Sequence, residues 1–271
     1  MKKILILLNE SHVPQRVIKR AIQIAKESNS LLEAVFINDI NGLNFGYPFP
    51  NDLYLLSEKV RSETRSEESL KILVSTAQVF KDECNEQGIE YKIEIDKAVS
   101  LKHLITLSSF ADLIIADSKS DSDEYSLKDL LADAHCPLLL VSKNAEPVAK
   151  VYVAYDGSPS SMYAVKMFSY IFPEYMNFNI HFFQIASGDT IAITNLDEIK
   201  CWANKHFSNV KFELINGSTK KELVDHISHG SEKALIVMGA YSGSSIARLF
   251  LKSTAESVIN ETNASLFITH Q

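Results

Sequence analysis

Short continuous apolar runs alternate along this chain with stretches whose apolar residues recur every three to four positions. The runs predict strands near residues 3–8, 31–37, 90–95, 112–116 and 137–142, then near 150–155, 179–185, 210–215, 234–238 and 265–269. Runs this short and this apolar belong to strands buried on both faces, as in a parallel sheet covered by helices. The stretches between them read as helices. Ile18, Ala21, Ile22 and Ala25 form one helical stripe, and Leu70, Leu73, Ala77, Phe80 and Cys84 form another on a long charged helix.

The order of elements is written twice. Lys3-Ile4-Leu5-Ile6-Leu7-Leu8-Asn9-Glu10-Ser11 returns as Lys150-Val151-Tyr152-Val153-Ala154-Tyr155-Asp156-Gly157-Ser158, in each case an apolar strand running into a polar turn. Asp112 to Ala116 answers Ala234 to Met238, and Pro137 to Val141 answers Ser265 to Thr269. Two copies of one unit imply two candidate pockets, so differences between the copies indicate which pocket is usable. The expected division is 1–143 and 149–271, joined by a short linker from Ser142 to Val148 that has no apolar pattern. Residues 39–58 lack a counterpart of equal length. Within them Asn41-Gly42-Leu43-Asn44-Phe45-Gly46-Tyr47-Pro48-Phe49-Pro50 is aromatic and turn-rich, and reads as a loop packing on the long helix or as a lid or partner-docking surface.

Length and charge narrow the classes. With 271 residues, each half is large enough for its own core. A net charge of -7 without a Lys or Arg run argues against nucleic acid and anionic membrane surfaces as partners. The apolar run Ile4 to Leu8 is too short for a signal peptide or a membrane span and reads as a core strand. Cys84, Cys136 and Cys201 have neither metal-ligand nor redox spacing, which predicts buried thiols in a reducing cytoplasm.

In an open parallel sheet a ligand binds beyond the C-terminal ends of the strands, where the winding direction reverses. With strand order 3-2-1-4-5 that crevice lies between the first and fourth strands. In the second half its rims are Asp156-Gly157-Ser158 and Gly239-Ala240-Tyr241-Ser242-Gly243-Ser244-Ser245. Glycines let backbone amides approach a ligand, and small hydroxyl residues supply donors and acceptors in little space. Ser253-Thr254 then opens the last helix, whose unpaired N–H groups favour a phosphate. Considered without the rest, a few glycines and serines in a loop are more often turn chemistry than a phosphate cradle.

At these residues the chain resembles the universal stress protein family in its tandem form, over nearly its whole length. The resemblance implies an α/β fold of two tandem doubly wound five-stranded parallel-sheet domains, strand order 3-2-1-4-5, packed as a pseudo-dimer in which edge strands pair. Members that bind ATP carry Gly-x-x-Gly-x9-Gly-Ser/Thr after the fourth strand and an Asp after the first. Here Asp156, Gly157, Ser158 and Gly239 fit, and Ser253 keeps its type, whereas Ser242 stands at the second glycine and Lys252 at the third. A serine adds a Cβ where backbone would approach phosphate. Lys252 is able to meet a phosphate as a point charge or to extend into solvent. The implied cofactor site is therefore Asp156, Gly157, Ser158, Gly239, Ser242, Gly243, Lys252, Ser253 and Thr254, with ATP or AMP as the candidate ligand.

The first half departs further. Asn9 and Glu10 replace the Asp and Gly, Asp117 stands where Gly239 stands in its twin, and the loop is six residues shorter. Asp117, Asp121, Asp123 and Glu124 form a set of carboxylates expected to repel a triphosphate. Their spacing lacks the glycine and terminal glutamate of an EF-hand, so a solvated acidic loop is expected rather than a calcium site. His226 and His229 lie one helical turn apart without a third ligand, and Trp202 reads as core. No catalytic signature occurs, so the expectation is a cytoplasmic, non-enzymatic regulatory protein with one weak adenine-nucleotide site in the C-terminal half. The alternative is a non-nucleotide interaction scaffold of the same fold with unknown protein partners; a homodimer is compatible with either.

Overall fold

The computed structural model describes residues 2–8, 13–37, 67–99, 101–118, 130, 133–142, 148–186, 192–215, 234–240 and 264–269, with only the backbone at 37, 67–70 and 94–99. Strands β1 (Lys3–Leu8), β2 (Leu31–Ile37), β3 (Tyr91–Val99), β4 (Leu113–Asp117) and β5 (Leu138–Val141) belong to the first half. The second half has β6 (Lys150–Ala154), β7 (Asn179–Ile185), β8 (Asn209–Ile215), β9 (Ala234–Gly239) and β10 (Ser265–Thr269). All ten join one sheet in the order β3-β2-β1-β4-β5-β10-β9-β6-β7-β8. Each half is thus wound 3-2-1-4-5, with parallel neighbours throughout, and the two fifth strands meet antiparallel, Phe267 opposite Leu139. The strands are apolar on both sides because helices cover both faces. The five residues of β4 and the four of β5 are all buried.

The helices follow from their stripes. Helix α1 (Gln15–Ser28) buries Val17, Ile18, Ala21, Ile22, Ile24 and Ala25, and it ends at Asn29 in the left-handed region with φ 50°, a conformation asparagine tolerates better than most residues. Helix α2 (Glu67–Gln87) places Leu73, Ala77, Phe80 and Cys84 in the core. Helices α3 (Leu101–Ser108), α4 (Pro159–Ile171) and α5 (Leu196–His206) complete those described, with a 3-10 turn at Pro173–Asn177. Among the described residues no helix is long and apolar enough to cross a membrane.

Each face of the sheet carries one continuous core that includes residues of both halves. On the α1 and α4 face the seam is aromatic. Phe267 stands edge-on to Phe168 and Phe172, and Phe168 stacks on Tyr175 at 5.4 Å. Arg20 of α1 reaches across the seam and donates from Nη2 to the Tyr175 hydroxyl at 2.6 Å.

Three expectations are modified. Strand β3 runs on to Val99, past residue 95, because a register shift between Val35 and Ile37 lets Ile37 pair with Val99; the polar pair Asp96-Lys97 hides that extension from an apolar pattern. Cys84 and Cys136 are buried, and burial is the main cause that pushes each thiol up to about 12, but Cys201 is exposed, on the outer side of α5. Trp202 is only partly buried, packed against the core edge and stacked on His206 at 3.9 Å. The aromatic segment 41–50, the linker residues 143–147, and His226 and His229 lie outside the described residues.

Candidate functional site

The crevice between β6 and β9 is assembled from two strand ends and one helix start. After β6, Tyr155 is buried, and Asp156 begins a turn in which its Oδ1 accepts from the Ser158 N–H at 3.0 Å. Gly157 completes the turn at φ +79°, which glycine adopts without a Cβ penalty. Ser158 caps α4, its Oγ accepting from the Ser161 N–H at 3.1 Å, and Pro159 takes the first helical position, where a missing N–H costs nothing. Ser161 Oγ in turn donates to the Ser158 carbonyl at 2.9 Å. The local sequence therefore builds a stiff corner and leaves Asp156 half-buried at its rim.

Two residues that the sequence pattern does not flag hold this corner from outside. Gln184 of β7 and Thr194, in the turn before α5, bond reciprocally: Gln184 Oε1 accepts from the Thr194 N–H at 2.8 Å and Nε2 donates to Thr194 Oγ1 at 3.0 Å. Thr194 lies so close over Gly157 that a Cβ there would overlap its side chain. The available signal was a lone glutamine in the otherwise apolar run Phe182-Phe183-Gln184-Ile185.

Gly239 closes β9 on the other side. A Cβ at Gly239 would sit 2.7 Å from the Ser160 carbonyl oxygen, so the glycine is what lets the start of α4 approach the strand end. Beside it, Thr269 pairs with Gly239 in the ladder, and the buried hydroxyls of Thr269 and Ser160 have no hydrogen-bond partner among the described residues. Strands β6 and β9 are neighbours, so Asp156, Gly157 and Ser158 do come together with Gly239 at the winding switch. Ser242, Gly243, Lys252, Ser253 and Thr254 lie outside the described residues.

The first half is built differently at the matching place. Asp117 ends β4, is buried, and accepts through both carboxylate oxygens from Arg16 Nη2 of α1, each at 2.7 Å. Of the carboxylates expected to repel a triphosphate, Asp117 is thus paired, and the ion pair ties the strand end to the start of α1 where its twin has a glycine. Asn9, Glu10, Asp121, Asp123 and Glu124 lie outside the described residues. Among the described residues no cluster of His, Cys, Asp and Glu could hold a metal ion.

The fold and this crevice define a class, a tandem doubly wound α/β protein with its two units fused through their fifth strands. No family model matches the sequence. A universal stress protein of Methanocaldococcus jannaschii is 28% identical over 150 residues, 52% of this chain and 82% of its own. The crystal structure of a universal stress protein from Archaeoglobus fulgidus superposes with a TM-score of 0.67 at 16% identity, covering 99% of this chain and 96% of that one. A functionally unknown protein from Pseudomonas aeruginosa gives a TM-score of 0.56 at 15% identity, with 100% and 92% covered. The chain thus resembles a universal stress protein in sequence over about half its length and shares the fold of the Archaeoglobus fulgidus one over nearly all of it.

Proposed function

We propose that this chain is a regulatory adenine-nucleotide-binding protein with one site, in its C-terminal half, and no committed chemistry. The observation that carries the reading is the contrast between equivalent positions: Gly239 beside the Asp156 turn in one half, and the Arg16–Asp117 ion pair in the other. A glycine at a strand end admits close backbone approach, and the half-buried Asp156 stands at the rim to accept hydrogen bonds from a base or ribose. Ser242, Gly243, Lys252, Ser253 and Thr254 are the proposed phosphate side, in which Lys252 offers a charge where relatives that bind ATP have a glycine.

Calorimetry with ATP and with AMP tests this. One site per chain is expected, lost in Asp156→Ala. The double change Ser242→Gly and Lys252→Gly is expected to tighten ATP binding, because roughly 1–3 kcal/mol of strain at a glycine-only conformation exceeds the ~1 kcal/mol of one exposed charge contact. Two equivalent sites per chain would refute the contrast between halves. A scaffold reading is favoured by one observation: the Asp156 carboxylate already accepts from Ser158 N–H, so the turn is complete as a helix cap. Absence of heat with either nucleotide, together with no nucleotide released on denaturation, would decide for the scaffold.

A further inference from the structure

The ten-stranded sheet ends on two unlike edges. At one end β3 meets β2 through a ladder that slips register between Val35 and Ile37, an irregularity of the kind that turns an edge away from further pairing. At the other end β8 keeps unbroken register with β7, from Asn179 opposite Asn209 to Ile185 opposite Ile215. Strand β8 contains no proline, has Asn209 and Lys211 exposed with the other five residues half covered, and among the described residues has no neighbour on its outer side. A regular edge of this length presents a row of backbone donors and acceptors to any passing strand.

Its charges select which strand. Lys211 and Glu213 alternate with Val210, Phe212 and Leu214, so they share one face of the sheet, with Lys211 Nζ 2.8 Å from Glu213 Oε2. We propose that the outer edge of β8 is a docking surface for a second copy of this chain, paired antiparallel about Phe212. Around that centre Lys211 faces the second copy's Glu213, Glu213 faces its Lys211, and Val210 faces its Leu214. Opposed residues in an antiparallel ladder point to the same face, which forbids one-residue shifts about a two-fold axis. Shifts by two residues put Lys211 on Lys211 or Glu213 on Glu213, which are repulsive. Only the Phe212-centred register satisfies every charge. A strand that does not place a carboxylate opposite Lys211 and a cation opposite Glu213 lacks this complementarity. The molecule already contains a joint of the same kind, the antiparallel pairing of β5 with β10.

The test is the mass of the full chain by size-exclusion chromatography with light scattering across a dilution series. The expected result is a two-chain species that dissociates on dilution. Lys211→Glu is expected to weaken association at least about tenfold, since both opposed pairs become like-charged, and the swap Lys211→Glu with Glu213→Lys is expected to restore it. Both side chains are on the strand surface, with 59% and 33% exposure. Register is read separately in a Cys201→Ser background, because Cys201 is exposed. A mixture of Lys211→Cys and Glu213→Cys chains is expected to form an interchain disulfide that neither forms without the other, because only directly opposed positions fall within the ~4.4–6.8 Å a disulfide spans. A single-chain mass throughout the series, a two-chain mass indifferent to Lys211→Glu, or failure of the swap to restore it would overturn the proposal. So would a disulfide formed equally by each cysteine variant without its counterpart.

Discussion

Gly239 and Asp117 occupy matching strand ends, and the contrast between them has consequences for stability in both halves. A Cβ at Gly239 meets not only the Ser160 hydroxyl but also its backbone, the carbonyl oxygen at 2.7 Å, which cannot turn aside. Gly239→Ala is therefore expected to cost about 1–3 kcal/mol by pushing α4 off the strand end, seen as a lower midpoint in urea with an unchanged slope. Arg16→Ala acts in the other half by leaving a buried carboxylate without its guanidinium. Removing one member of a buried pair costs about 3–5 kcal/mol, but Arg16 is 32% exposed, so about 2 kcal/mol is expected by the same measurement. Loss within experimental error for Arg16→Ala would mean that water replaces the pair. At this scale the sequence was half informative. It located Gly239 by repeat position, and the Asp156-Gly157-Ser158 corner by its turn chemistry. It could not show that Asp117 is neutralised, because Arg16 lies 101 residues away and nothing local links the two. Gln184 and Thr194 were hidden for the same reason, since their reciprocal bond spans a strand end and a separate turn.

Among the elements, β1, β2 and β3 are held by a polar contact inside an otherwise apolar layer. Glu33 of β2 is buried, and Lys3 Nζ and Lys92 Nζ lie 2.6 Å and 2.8 Å from its two carboxylate oxygens. Burial alone would raise the Glu33 carboxyl, yet hydrogen bonds and charges from Lys3 and Lys92 outweigh it, and the group is held below its ordinary value of 4.5. The native state thus binds this proton less readily than the unfolded chain does. The resulting stability is fully present above the ordinary value and is lost as the pH falls through the lower native value. Urea titrations at successive pH values are expected to show wild-type stability falling below that ordinary value more steeply than Glu33→Gln does. Equal slopes would show that the two lysines do not favour the ionised carboxylate. Elements themselves were the most legible level, because parallel strands covered on both faces must be uniformly apolar and their helices must carry stripes. The extension of β3 escaped because it depends on a slip in its partner β2, which leaves no mark in the β3 sequence.

Over the whole molecule the seam decides whether the two halves behave as one. Strands β5 and β10 join them in a single sheet, and Leu139 lies opposite Phe267 inside a core that runs from Phe80 and Cys84 in one half to Phe182 and Ala203 in the other. The repeat predicted two units and the family resemblance implied paired fifth strands; neither could reveal that the cores also merge, since that depends on aromatic packing of Phe168, Phe172 and Tyr175 around one strand. A shared core of this kind makes independent unfolding of either half expensive, because opening one exposes apolar surface on the other. Two intrinsic reporters follow the halves separately. Trp202, the single tryptophan, reports on the second half by fluorescence, and buried Cys84 reports on the first by its protection from a thiol reagent. Their urea transitions are expected to coincide in the wild type. Leu139→Ala removes a buried side chain from the seam at a cost of about 2–5 kcal/mol, and it is expected to lower both midpoints together although Trp202 belongs to the other half. A shift in the Cys84 transition with Trp202 unmoved would show that each half keeps a core of its own and that the seam is only a contact between them.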